Sequence, residues 1–116
     1  NNGRAYVTYM KKVAANLRKY NCKMYYLSVN PVNSAMIKSV GGKARSEAQI
    51  ASFNRTIYKN LCSGKNKSFT YINSCTNLQM KGWISNRHDM GIYDGLHYSN
   101  ATYLRIFDYC MRYLNR

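Results

Sequence analysis

Met24-Tyr25-Tyr26-Leu27-Ser28-Val29 is an almost continuous apolar and aromatic run, and Asn30-Pro31 brings it to an end. A run of this kind reads as a strand buried on both faces, as strands in parallel sheets are. Upstream, over residues 5–20, Tyr6, Met10, Val13, Leu17 and Tyr20 recur at steps of three and four. That is one stripe of an amphipathic helix, with Lys11, Lys12, Arg18 and Lys19 lying off it. Downstream, residues 30–43 read as a loop closed by Gly41-Gly42. A second helix is expected over roughly 45–62, with Ile50, Phe53, Ile57 and Leu61 on one face and Ser63-Gly64 as its stop. Phe69-Thr70-Tyr71-Ile72 is a second, short strand candidate. Residues 73–98 carry no clear periodicity and read as a long polar connection. Residues 100–114 predict a third helix, capped by Ser99 or Asn100, with Tyr103, Leu104, Phe107, Cys110, Met111 and Leu114 inward.

Helix, strand, helix, strand, helix is an α/β order, with parallel strands, right-handed crossovers and helices covering the sheet. Two strands are too few for a free-standing sheet of this type, since each would keep an unpaired edge. The 116 residues therefore read as a single unit that is part of a larger α/β domain. Composition agrees with a globular fold: 46% of residues are apolar and 19% charged, which argues against disorder. The longest uncharged stretch, Met24 to Ile37, contains Pro31, Asn30 and Asn33 and is too short and too polar to span a bilayer. No signal peptide is visible. The chain starts with Asn1 rather than Met, and the expectation is that it derives from something longer.

Charge is lopsided, with 18 Lys and Arg against 4 Asp and Glu, formally +14. Such a field attracts polyanions, whether nucleic acid, anionic lipid or acidic wall polymers. The cations are nevertheless spread from Arg4 to Arg116, and no basic run reaches five. Without an Arg-rich arm, zinc-finger spacing or aromatic RNA-binding signature, solvated helix faces account for most of them. Nucleic acid is not an expected partner. Cys22, Cys62, Cys75 and Cys110 form no CxxC, so neither a zinc knuckle nor a redox pair is supported. Two disulfides, with three possible connectivities, and buried free thiols both remain open, and with them the compartment.

Among four acids and two histidines, one arrangement carries chemistry: Asp94-Gly95-Leu96-His97, then Tyr98-Ser99-Asn100, directly ahead of the last helix. Loops after the strands of an open α/β sheet leave from the carboxyl ends, where ligands bind. An acid three residues before a histidine on a turn can accept the imidazole Nδ1–H and leave Nε2 as a base. That is two thirds of a Ser-His-Asp relay. The bland alternative is an aspartate capping a turn beside a surface histidine, and four residues do not choose between them.

The wider string Tyr93-Asp94-Gly95-Leu96-His97-Tyr98-Ser99-Asn100-Ala101-Thr102-Tyr103 resembles the last conserved block of the SGNH (GDSL-type) ester hydrolases. There the pattern is Asp-Gly, an apolar residue and His, then a polar turn and the closing helix. The strand from Tyr25 to Val29 with Asn30-Pro31-Val32 is similar to the family's penultimate strand, and the helix bearing Phe53-Asn54 to the one that follows. The resemblance implies a flavodoxin-like three-layer α/β/α sandwich and ester hydrolysis through an acyl-enzyme, with no cofactor. It implies that His97 is the general base toward a serine and later the acid toward the leaving alcohol, while Asp94 orients it. Family members carry the serine in a GDS-type block near the N-terminus, and oxyanion donors there and in a GxND block. This chain contains neither, so the match is to the C-terminal half, with the N-terminal strands absent. The 116 residues alone are expected to be inactive, needing the missing N-terminal half from the same protein or another chain.

No GxSxG elbow offers a substitute nucleophile, and Ser28, Ser85 and Ser99 have no context favouring one. Cys75 follows the second strand, where a structural thiol is the expectation. Two histidines and few acids argue against a metal site, and His88-Asp89 reads as a loop pair. Trp83, Tyr93 and Tyr98 flank the Asp-Gly-Leu-His block as candidate substrate contacts, since aromatic faces stack on sugar rings and many of these hydrolases deacetylate carbohydrate. Trp83 plugging the long connection against the core is an equal alternative. The expected substrate is a small acyl ester, O-acetylated carbohydrate included. The rival is a non-enzymatic basic module that binds anionic polymers.

Overall fold

The computed structural model describes residues 2–43, 46–81 and 94–115. Helix α1 (Asn2–Arg18) leads into strand β1 (Tyr25–Leu27), then helices α2 (Ser34–Ser39) and α3 (Glu47–Ile57). Strand β2 (Thr70–Ile72), helix α4 (Ser74–Met80) and helix α5 (Asn100–Leu114) complete the order. The two strands are parallel, with Tyr25 opposite Thr70, Tyr26 opposite Tyr71 and Leu27 opposite Ile72. Thr70 N–H donates to the Met24 carbonyl at 2.9 Å and Ser28 N–H to the Ile72 carbonyl at 3.1 Å, extending the ladder at both ends. The fold is mixed α/β with a parallel two-stranded sheet among the described residues.

Local chemistry explains where the helices begin. Ser46 Oγ accepts from Gln49 N–H at 3.2 Å while Gln49 Oε1 accepts from Ser46 N–H at 2.8 Å, a reciprocal cap for α3. Ser99, one of the two expected caps, starts α5 by accepting from Thr102 N–H. Two helices arise where the sequence predicts loops. Asn33 caps α2 and Asn73 caps α4, each side chain accepting from the backbone N–H three residues on. Both helices are two turns or less, too short for a period to register, and each buries only one or two apolar side chains. After Ile57, α3 continues as a π-helical turn, Tyr58–Cys62, that keeps Leu61 buried beneath Ile57 and ends at Ser63.

The main core joins α1, α3 and one face of the sheet through Val7, Ala14, Ile57, Leu61, Cys62 and Phe69. Tyr6 packs there too, its hydroxyl 2.7 Å from that of Tyr26. The seam of α1 is thus Tyr6, Val7, Met10 and Ala14, turned from the expected stripe. Tyr20 lies beyond the helix in a turn where Asn21 takes φ +53°, a conformation asparagine tolerates. A second cluster, Leu78, Tyr98 and Ile106 with Cys110, ties α4 to α5. The inward face of α5 therefore runs through Thr102, Ile106 and Cys110. Tyr103, Leu104, Phe107 and Leu114, expected inward, are exposed, Leu104 by 64% and Phe107 by 58%. Leu27 of β1, expected to be covered on its face, is likewise open to solvent. The apolar period reports that a side chain wants cover, and each of these keeps 42% or more of its surface open. All four cysteines are free thiols, Cys62 and Cys75 buried.

Candidate active site

The Asp94–His97 turn is built by its own first residue. Asp94 Oδ1 accepts the backbone N–H groups of Leu96 and His97, both at 2.8 Å, which closes an Asx turn. Its other oxygen, Oδ2, lies 2.5 Å from His97 Nδ1. One carboxylate thus holds both the backbone and the ring of the same histidine. These hydrogen bonds, the His97 backbone N–H first, pull the Asp94 carboxyl down to about 2. Asp94 is consequently ionised at neutral pH. With Nδ1 engaged, Nε2 is the nitrogen available for proton transfer. The His97 side chain is 58% exposed and that of Asp94 23%, so the imidazole faces open space and the carboxylate sits behind it.

Glycine is required between them. Gly95 has φ +80°, and a Cβ there would meet the Asn33 carbonyl oxygen at 2.5 Å and the Ile37 backbone nitrogen at 2.8 Å. Its own carbonyl accepts from Asn33 N–H at 2.8 Å. The turn therefore rests directly on the start of α2, in the segment that leaves the carboxyl end of β1. Tyr98 makes the second attachment. It is 4% exposed and donates its hydroxyl to the Pro31 carbonyl at 2.5 Å. Its ring meets Tyr103 edge to face, and its N–H donates to the Tyr103 hydroxyl. Expected at the substrate, Tyr98 instead points into the core as a strut between the turn and the loop after β1.

That loop is held in turn by Asn54 of α3. Its Oδ1 accepts from Val29 N–H at 2.9 Å, and its Nδ2 donates to the Val29 carbonyl at 3.0 Å. A buried asparagine gripping both main-chain groups of one residue is a positioning device that apolar periodicity passes over. The only available hint is a polar residue placed on the buried side of a helix. Asn30, next in sequence, has a buried Oδ1 with no partner among the described residues.

The remaining candidates separate clearly. Trp83, Tyr93, Ser85 and His88 lie outside the described residues. Ser28 is buried, its hydroxyl accepting from Cys75 N–H at 2.9 Å, and Ser99 is occupied as the α5 cap. Burial pushes the Cys75 thiol up, away from thiolate chemistry. Among the described residues no helix is long and apolar enough to cross a membrane. Set beside family models, curated proteins and solved structures, the chain finds no match in any of the three.

Proposed function

We propose that this chain is the C-terminal portion of an SGNH-type serine ester hydrolase acting on a small acyl ester, with O-acetylated carbohydrate as the favoured class. The observation that carries the reading is the 2.5 Å approach of Asp94 Oδ2 to His97 Nδ1 on a turn that the same carboxylate closes. A capping aspartate needs only one oxygen; here the second is spent on the ring. His97 Nε2 takes the proton of the serine hydroxyl as its oxygen adds to the ester carbonyl carbon. It returns that proton to the departing alcohol as the C–O bond breaks. Water then repeats the sequence on the acyl-serine, releasing the acid and restoring the hydroxyl. Asp94 keeps the imidazole in the required tautomer and stabilises the imidazolium. The serine and the oxyanion donors come from outside the 116 residues, and so do the strands that complete a three-layer sandwich. The uncovered apolar faces of β1 and α5 support that completion.

In the complete protein, His97→Ala is expected to lower turnover of p-nitrophenyl acetate by about 10³-fold or more, and Asp94→Ala by a comparable factor. Wild-type rates in both variants would overturn the reading.

A second reading rests on α1. Arg4, Lys11 and Arg18 recur every seven residues, with Lys12 and Lys19 beside them, all exposed and with no acid in the helix. Such a face binds an anionic polymer through counterion release. Affinity that falls steeply with salt and is indifferent to His97, in a protein without esterase activity, would favour it.

A further inference from the structure

Residues 29–34 lead from β1 into α2, and α3 fastens them at both ends. At the first end, Asn54 holds both main-chain groups of Val29. At the other, Ser34 donates its N–H to Glu47 Oε1 at 2.6 Å and its hydroxyl to Glu47 Oε2 at 2.7 Å. Between these ends the segment carries the Asp94–His97 turn. The Pro31 carbonyl receives the Tyr98 hydroxyl, and Asn33 N–H donates to the Gly95 carbonyl at 2.8 Å. Glu47 and Asn54 stand two turns apart on one side of α3, about 10 Å along its axis. The turn is attached to the span that they define.

Apolar packing alone does not fix that span. Ile50, between Glu47 and Asn54 on the same face, clusters with Val32 and Ile37. Such contact sets a distance, but it is non-directional and lets one surface slide over the other. A cavity of about 570 Å³ also opens along this face, lined in part by Pro31, Val32, Glu47, Ile50 and Asn54. Register is therefore left to the directed bonds at either end. Glu47 is suited to that part. It is the first residue of α3, directly after the Ser46 cap, so its backbone is fixed. In a chain with 18 Lys and Arg and only 4 Asp and Glu, both of its carboxylate oxygens are given to one serine. Two charge-assisted bonds to one residue set orientation as well as distance. They lower the pKa of the Glu47 carboxyl below its ordinary value, the Ser34 N–H contributing most, and keep it charged.

We propose that Glu47 is a positioning residue for His97: through Ser34 and Asn33 it sets the register of the segment on which the Asp94–His97 turn rests. Loss of this tie lets the turn shift relative to α3, while the Asp94–His97 contact, local to the turn, survives. The tie itself does not depend on the ester-hydrolase reading, whereas its effect on turnover rests on it.

The test compares Glu47→Ala and Ser34→Ala with the wild type in the complete protein. Ser34→Ala removes only a hydroxyl and carries the test if Glu47→Ala does not fold. Native-state hydrogen exchange is followed by NMR at Ser34 N–H and at Asn33 N–H, the bond that joins the segment to the turn. Asn33 exchange is expected to quicken about tenfold in Glu47→Ala and about threefold in Ser34→Ala, which keeps one of the two bonds. The kcat for p-nitrophenyl acetate should fall about tenfold in Glu47→Ala with KM within a factor of about two, because position rather than substrate binding is lost. Glu47→Gln, which retains one acceptor, should recover part of that kcat. Faster exchange at Ser34 with Asn33 as slow as in the wild type, in every folded variant, means that the tie ends at α2 and overturns the proposal. An unchanged kcat in Glu47→Ala, where His97→Ala abolishes hydrolysis, overturns it as well. If the wild type has no His97-dependent hydrolysis, the ester-hydrolase reading fails and Asn33 exchange alone decides the positioning.

Discussion

Asp94 combines three hydrogen bonds in one side chain, and its ionisation is the most direct handle on the turn. Its carboxyl is drawn from an ordinary 3.8 to about 2 in the folded chain. Between those values the unfolded chain takes up the proton more readily, so the stability that Asp94 contributes is complete above about pH 4 and is lost as pH falls toward 2. Asp94→Asn retains an oxygen for the two backbone donors but removes the charge. Its stability is expected to vary less with pH between 4 and 2 than that of the wild type, as measured by urea unfolding at stepped pH. Parallel acid limbs would show that the carboxylate does not hold the ring in solution. The aspartate-to-histidine spacing was legible in the sequence, because a four-residue turn is a local matter. The inward path of Tyr98 was not, because it depends on the Pro31 carbonyl, 67 positions away.

Among the elements, α3 has the widest reach. Its apolar face, Ile50, Ile57 and Leu61, emerged from periodicity, and its stop at Ser63 followed from the Ser-Gly pair. Its influence on the candidate site passes instead through Asn54, which joins α3 to the end of β1. Asn54→Ala would leave both Val29 main-chain groups without their partner in a part-buried setting, at a cost of roughly 1–3 kcal/mol. Urea midpoints check this, and Asn54→Gln should not restore the loss, since the longer amide cannot reproduce the paired geometry. A cost below about 0.5 kcal/mol would mean that the loop needs no such support. Helices α2 and α4 were hidden for a different reason. Each is nucleated by one asparagine cap and buried by one or two residues, so tertiary contact rather than amphipathic pattern selects them.

For the whole molecule, the informative quantity is what lacks cover. A Cα radius of gyration of 15.5 Å exceeds the roughly 13 Å of a compact chain of this length. The shortest extent, 20 Å, has room for about two packed layers of elements. Leu104 and Phe107 on α5 and Leu27 on β1 are left open, and a third layer and further strands are proposed to bury them. Under the proposed completion, Phe107→Ala destabilises the complete protein by about 3 kcal/mol, the cost of emptying a core site. If that face stays in water, the same substitution changes stability by less than about 0.5 kcal/mol. Thermal or denaturant unfolding of the complete protein separates the two.

The alternation of helix and strand, the parallel sense of the strands and the Asp94–His97 pairing are properties of short stretches. Hydrophobic period, capping residues and a four-residue turn act over distances that sequence spacing measures directly, so the sequence by itself gave the alternation and brought Asp94 and His97 onto one turn, while the Asp94 Oδ2 contact to the ring came from the structure. Which face of α5 turns inward, where Tyr98 points, how Asn54 grips Val29 and where the cavity opens depend on residues tens of positions apart. Those arrangements are chosen by competition among apolar faces for limited cover and by the need to pair buried main-chain groups, and only the tertiary structure decides that competition.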